Sequence, residues 1–117
     1  MWAAYRGCGA VAAFGDVARL TCFADYRIPQ LLRGVGAMVY AAELAARIDA
    51  REELPPGGAA EVELRAATVQ AVERLRGALG ERGRALTAVE VDWLLWNRGE
   101  AERDALPPHH RTLTVFY

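Results

Sequence analysis

Two aspartates stand among apolar and aromatic neighbours, where a carboxylate needs a reason to be. Asp25 lies in Phe23-Ala24-Asp25-Tyr26-Arg27-Ile28-Pro29-Gln30, and Asp92 in Val91-Asp92-Trp93-Leu94-Leu95-Trp96. Pro29 fits the first turn of a helix, and the residue before a proline resists the helical conformation. This predicts one helix ending near Ala24 and a second beginning near Asp25 or Tyr26. Asp25 then sits at a helix N-terminus, where free backbone N–H groups and the dipole favour an ionised carboxylate. That placement suits an ordinary cap as well as a reactive group, and spacing alone leaves both open. A carboxylate fixed in this way can act as a nucleophile or stabilise a developing positive charge. Asp92 is flanked by residues expected to be buried, and an uncompensated buried charge costs roughly several kcal/mol. It therefore calls for a partner, either an arginine such as Arg65 or Arg111, or a cationic group of a ligand. Arg27, His110 and Arg111 are donors suited to an anion, and a surface role for the paired histidines is an equal reading.

The elements that must position these groups are helical. Leu20, Phe23, Ala24, Ile28, Leu31 and Leu32 recur at three- and four-residue spacing, as on a helix with one buried face. Asp16 is a candidate cap for a helix over residues 17–24. The second helix continues through residues 29–38, with Gly34 and Gly36 as terminal punctuation. A short helix follows Tyr40 and runs to about Asp49, and the Pro55-Pro56-Gly57-Gly58 stretch predicts a loop. Residues 60–79 are the longest periodic run, with Leu64, Thr68, Ala71, Val72, Leu75 and Leu79 in one stripe. Gly77, Gly80 and Gly83 are expected to mark its end. Thr87 and Glu90 have the spacing of a capping box, opening a last helix over residues 87–98 whose apolar stripe is Val89, Trp93 and Trp96 or Leu95. Residues 98–108 read as a surface loop. Alternation of Leu113, Val115 and Tyr117 predicts a short extended C-terminal tail. The fold class is therefore all-α, with residues 1–117 forming a single helical domain.

Composition narrows the function. The chain has 117 residues, is 53% hydrophobic and carries a net charge of −1, with no lysine at all. It lacks the basic balance of a nucleic-acid-binding domain. Cys8 and Cys22 are the only cysteines; neither CxxC nor metal-ligand spacing occurs, so no metal and no cofactor are expected. Cys22 is expected to be a buried free thiol. No apolar run approaches membrane-spanning length, no secretory leader pattern opens the chain, and a cytoplasmic setting is the default expectation.

Several separated motifs together resemble one family. Leu20-Thr21-Cys22-Phe23-Ala24-Asp25-Tyr26-Arg27-Ile28-Pro29-Gln30 is similar to the L-T-x-F-A-D-Y-R-[IV]-P-Q signature of queuosine salvage proteins. Glu61-Val62-Glu63-Leu64-Arg65-Ala66 matches E-V-E-[IL]-R-A, and Val91-Asp92-Trp93-Leu94-Leu95-Trp96 resembles L-D-[WY]-x-L-W. Tyr5-Arg6-Gly7 and the ending from His109 to Tyr117 also look like family segments, with Leu113 where the family often has arginine. The stretch at Asp25 further resembles the D-x-x-[IV] helix opening of helix-hairpin-helix DNA glycosylases, whose aspartate is catalytic.

The resemblance implies an N-glycosidase that hydrolyses queuosine 5′-phosphate and releases queuine, a small-molecule nucleotide reaction without direct nucleic-acid or membrane contact. It implies a helical domain like the catalytic part of helix-hairpin-helix glycosylases, forming the C-terminal part of a longer family fold. It also implies Asp25 as the catalytic carboxylate. Phe23, Tyr26 and Trp96 would supply an aromatic wall for the base, Asp92 would meet the ammonium of the queuine side chain, and Arg27, His110 and Arg111 would bind the phosphate. The alternatives are a DNA-repair N-glycosylase using the same aspartate, or a non-catalytic helical interaction fragment.

Overall fold

The computed structural model describes residues 13–117; the glycine-rich start, Cys8 and the Tyr5-Arg6-Gly7 motif lie outside the described residues. Four α-helices follow a 3₁₀ turn at Val17–Arg19: α1 Arg27–Gly34, α2 Ala42–Asp49, α3 Ala59–Glu81 and α4 Ala88–Ala101. No strand occurs among the described residues. A parallel bridge between Glu53 and Arg111 ties the loop after α2 to the C-terminal tail.

The helices α1, α3 and α4 pack on one another around Ile28, Leu32, Val72, Val91, Cys22 and Ala24. A satellite core under α2 joins Ile48, Leu54 and Leu64. The stripe expected on α3 is the buried one: Leu64, Thr68 and Val72 face inward, and Leu75 and Leu79 pack at its edge. The capping box forms as spaced. Thr87 Oγ1 accepts from the Glu90 N–H, while Glu90 Oε2 accepts from the Thr87 N–H at 2.8 Å.

Three expectations fail for physical reasons. The helix over residues 17–24 is reduced to the 3₁₀ turn, and Asp16 makes no side-chain cap bond. Residues 20–24 contain no helix, with Cys22 and Ala24 buried and Thr21 and Phe23 exposed. In so short a run the apolar residues satisfy period two as well as period 3.6. The Asp92 carboxylate then takes the Phe23 N–H, a donor that a helix would have used internally. Cys22 is buried and free as expected, but it is not on a helix.

The second correction concerns helix ends. In α1, Gly36 at φ 75° donates to Arg33 O, and Ala37 N–H returns to Leu32 O at 2.8 Å. That is a Schellman closure, so α1 stops at Gly34 and not near Met38. Gly83 at φ 78° closes α3 in the same way, with Arg84 N–H on Leu79 O; Gly77 and Gly80 lie inside that helix. Helix α2 ends with the same pair of bonds, Arg51 N–H on Ile48 O and Glu52 N–H on Arg47 O. Here an arginine, Arg51 at φ 59°, occupies the left-handed position.

The third correction is the face of α4. The buried stripe is Ala88, Val91 and Gly99, with Leu95, one of the expected residues, packed at its edge. Trp93 and Trp96 are turned outward at 49% and 40% exposure. The helix also continues to Ala101, into the segment expected as a loop. The tail makes the bridge at Arg111 and a turn at residues 115–116, with Leu113 and Val115 exposed.

Candidate functional site

Asp25 closes the N-terminus of α1. Its Oδ1 accepts the backbone N–H of Arg27 at 2.9 Å and of Ile28 at 3.1 Å. The residue is buried, and among the described residues no arginine forms an ion pair with it. Burial pushes the Asp25 carboxyl above its ordinary range; the two backbone donors, the Trp96 indole N–H and the Arg27 charge draw it part of the way back. The cap reading and the reactive reading are thus compatible. One oxygen is fixed by the helix, and among the described residues no ion pair holds the charge, although the Arg27 guanidinium acts on it.

Asp92 reaches the same place from α4. Its carboxylate accepts the Phe23 N–H, across 69 positions of sequence, and neither Arg65 nor Arg111 is its partner. Burial and then the nearby Asp25 charge hold the Asp92 carboxyl above its usual range, against the Phe23 N–H. Two carboxylates therefore act on one neighbourhood, neither held in an ion pair among the described residues. The Phe23 side chain is 62% exposed beside them. A cleft runs along Thr21, Phe23, Val62, Arg65 and Ala66 between this segment and α3.

On the other side of Asp25 stands an aromatic cluster. The Tyr26 ring lies 4.6 Å from His109 and 6.4 Å from Tyr117, centroid to centroid. Arg65 lies over both Phe116 and Tyr117. Tyr117 donates its phenol proton to Glu61 Oε1 at 2.8 Å, and His110 Nε2 lies 3.0 Å from the Tyr117 oxygen. Glu61 also accepts the Gly57 N–H and sits 3.6 Å from Arg65. A carboxylate can only accept, so the Tyr117 proton points to Glu61 and His110 Nε2 must carry its own proton toward the phenol oxygen. This makes Nδ1 the bare acceptor of His110. It is buried without a partner among the described residues, as is Thr112 Oγ1. Burial, reinforced by the His109 charge, lowers the His110 pKa to about 4.

Arg27 is bound internally: its guanidinium reaches Glu100 at 2.6 Å and Gln30 at 2.5 Å. Of the residues expected at a site, Asp25, Phe23, Asp92 and Trp96 come together directly. Tyr26 and His110 belong to the adjoining aromatic cluster. Arg27 and Arg111 line an adjoining cleft with Arg51, Arg103 and His109, and Arg111 and His109 also border the aromatic cluster. The sequence reading missed Glu61, Tyr117, Arg51 and Glu100. Glu61 looks like any acidic residue in a first helical turn, and only its contact with Tyr117, 56 residues away and closed by folding, shows what it holds.

Matched over residues 1–117, the family model described as Queuosine salvage protein covers the whole chain. The chain belongs to the queuosine salvage protein family. A relative from Dictyostelium discoideum is 48% identical over 117 residues, covering 100% of this chain and 36% of its own length. One from Sphaerobacter thermophilus is 50% identical over 107 residues, covering 92% of this chain and 33% of its own length. A Mus musculus relative is 34% identical over 125 residues, or 99% of this chain and 37% of its own length. Each is named queuosine 5′-phosphate N-glycosylase/hydrolase. The chain spans about a third of the length of these curated relatives. Among the described residues no helix of this queuosine salvage family chain is long and apolar enough to cross a membrane, and no cluster has the makings of a metal site.

Proposed function

We propose that this chain carries the carboxylate side of an N-glycosidase that cleaves the N-glycosidic bond of queuosine 5′-phosphate and releases queuine. The observation that carries the reading is Asp25: buried, fixed through Oδ1 by two backbone N–H groups, and unpaired with any cation among the described residues. As the base leaves, positive charge spreads over the ribose in an oxocarbenium-like transition state. A pre-oriented carboxylate in a poorly solvated place stabilises that charge without reorganising. Asp92 adds negative potential and faces the ammonium of the queuine side chain, while Phe23 and Trp96 wall the base. His110, neutral and with a bare Nδ1, suits a hydroxyl of the substrate and not its phosphate. The choice of substrate draws on the name shared by the relatives, of which this chain spans about a third.

Queuine release from queuosine 5′-phosphate, followed by liquid chromatography, tests the reading. In Asp25→Asn, kcat falls by a factor on the order of 10² or more with the circular dichroism unchanged. Wild-type kcat in the folded variant removes Asp25 from the mechanism.

A second reading, a helical interaction piece, is favoured by the exposed apolar residues Leu20, Phe23, Trp93, Leu94 and Trp96. On that reading the chain self-associates when alone and turns over little substrate. A monodisperse monomer with robust turnover sinks it. The DNA-repair alternative gains nothing from a chain without lysine and with a net charge of −1.

A further inference from the structure

Arg51 stands in a position that the two other Schellman closures of this fold give to glycine. Helices α1 and α3 end through Gly36 and Gly83, both at positive φ; helix α2 ends through Arg51 at φ 59° with the same two hydrogen bonds. A side chain bearing a Cβ is disfavoured in that backbone conformation, and glycine is the usual solution. Residues held in this region persist where the surrounding structure over-determines them, and such positions cluster at functional sites.

The side chain of Arg51 has somewhere to act. It lines a cleft of about 510 Å³ together with Arg27, Arg103, Arg111, His109 and Asp104. Arg27 is committed to Glu100 and Gln30. Arg103 lies 3.7 Å from Glu100 and 3.8 Å from Asp104. Arg51 and Arg111 make no ion pair among the described residues. The same loop holds them together: Leu54 N–H donates to Arg111 O at 2.7 Å, three residues after Arg51, and Glu53 bridges to Arg111. The two guanidinium groups therefore line one cleft without an ion pair of their own among the described residues. Four arginines against the single carboxylate of Asp104 leave the lining with a positive balance that an anion would offset. The cleft continues to the site through His109, whose ring lies against Tyr26, the residue after Asp25.

We propose that Arg51 and Arg111 form the seat of a phosphate monoester, the 5′-phosphate of the nucleotide substrate, an inference that rests on the N-glycosidase reading above. A phosphate monoester carries about −1.5 to −2 charges at neutral pH, and the planar guanidinium fork matches its oxygens. His109 stands at the junction between this seat and Tyr26. Arg27, engaged at both ends, shapes the wall and does not bind.

Arg51→Gly separates the two roles by opposite signs. Removing the strain raises the melting temperature by about 2–4 °C, whereas losing the guanidinium weakens the phosphate contact roughly 10- to 100-fold. Calorimetric titration of the 117-residue chain with queuosine 5′-phosphate, queuosine and inorganic phosphate reads the second effect. The expected result is a variant that melts higher, binds the nucleotide and inorganic phosphate more weakly, and binds the nucleoside as before. Arg111→Ala reproduces the binding losses. Unchanged affinity for both phosphates in Arg51→Gly, or equal losses on nucleotide and nucleoside, overturns the proposal. If the wild-type chain binds inorganic phosphate but neither nucleotide nor nucleoside, the N-glycosidase reading fails by itself. Whether phosphate binding then depends on Arg51 still decides the anion seat.

Discussion

Gly99 is the point at which α4 comes closest to the start of α1, and replacing it by alanine tests how the site is held. A Cβ at Gly99 would lie 2.8 Å from Arg27 Cγ and 2.9 Å from Cδ. These are middle atoms of the side chain, and its far end is fixed to Glu100 and Gln30, so Arg27 cannot swing aside without giving up those bonds. Alanine in a helix interior gains about 1 kcal/mol over glycine. Overpacking costs about 1–3 kcal/mol, and losing a charge-assisted hydrogen bond costs about 1.5–3 kcal/mol where it is well buried. The Arg27–Glu100 pair is only partly so, at 10% and 27% side-chain exposure, and its share falls toward the low end. The balance is a net loss of about 1–3 kcal/mol for Gly99→Ala. Gly77 in α3 supplies the control: no neighbouring atom lies within 4 Å of the place a Cβ would take, and Gly77→Ala gains about 0.5–1 kcal/mol. Urea titration, with the m-value held constant between variants, reads both. A Gly99→Ala chain as stable as Gly77→Ala would refute the claim that α4 fixes Arg27 and, through its backbone N–H, Asp25.

Two further outcomes follow from the buried ionisable groups. His110 has its pKa lowered to about 4 from 6.5 by burial and the His109 charge, so the unfolded chain takes up its proton first as pH falls. Its neutral form is fully compatible with folding above pH 6.5, and stability is lost between about 6.5 and 4. The difference between wild type and His110→Gln should reach about 3 kcal/mol across that window and level off below it; a flat difference would mean that His110 titrates freely. Subtraction is needed because Asp25 and Asp92 are raised, and their proton uptake adds stability as pH falls. Asp92→Asn should weaken queuosine 5′-phosphate by about 2 kcal/mol or more, while a 7-deazaguanosine phosphate without the aminomethyl ring hardly changes. Equal losses on both ligands, with a lower melting temperature, would make Asp92 a scaffold residue.

Much of this architecture was legible because it is local. The stripe of α3, the Thr87–Glu90 box and the place of Asp25 at a helix opening each depend on residues within a few turns of one another. Intrinsic preference and periodicity act at that range, so the all-α class and the helix-opening position of Asp25 could be read from residue order, whereas its candidacy as the catalytic group came from the family resemblance. Residues 20–24 mark the limit: so short a run fits two periods equally well, and the bond that decided between them came from Asp92. Folding alone brought Tyr117 to Glu61 and turned Trp93 and Trp96 outward. It also set Arg51 and Arg111 on one cleft, with their backbones joined through the loop at Leu54. An acidic residue in a first turn, a tail tyrosine or an arginine after a helix has the same local energy whether it is solvated or engaged. What engages it is a partner tens of residues away, and that choice is made by the packing of α1, α3 and α4.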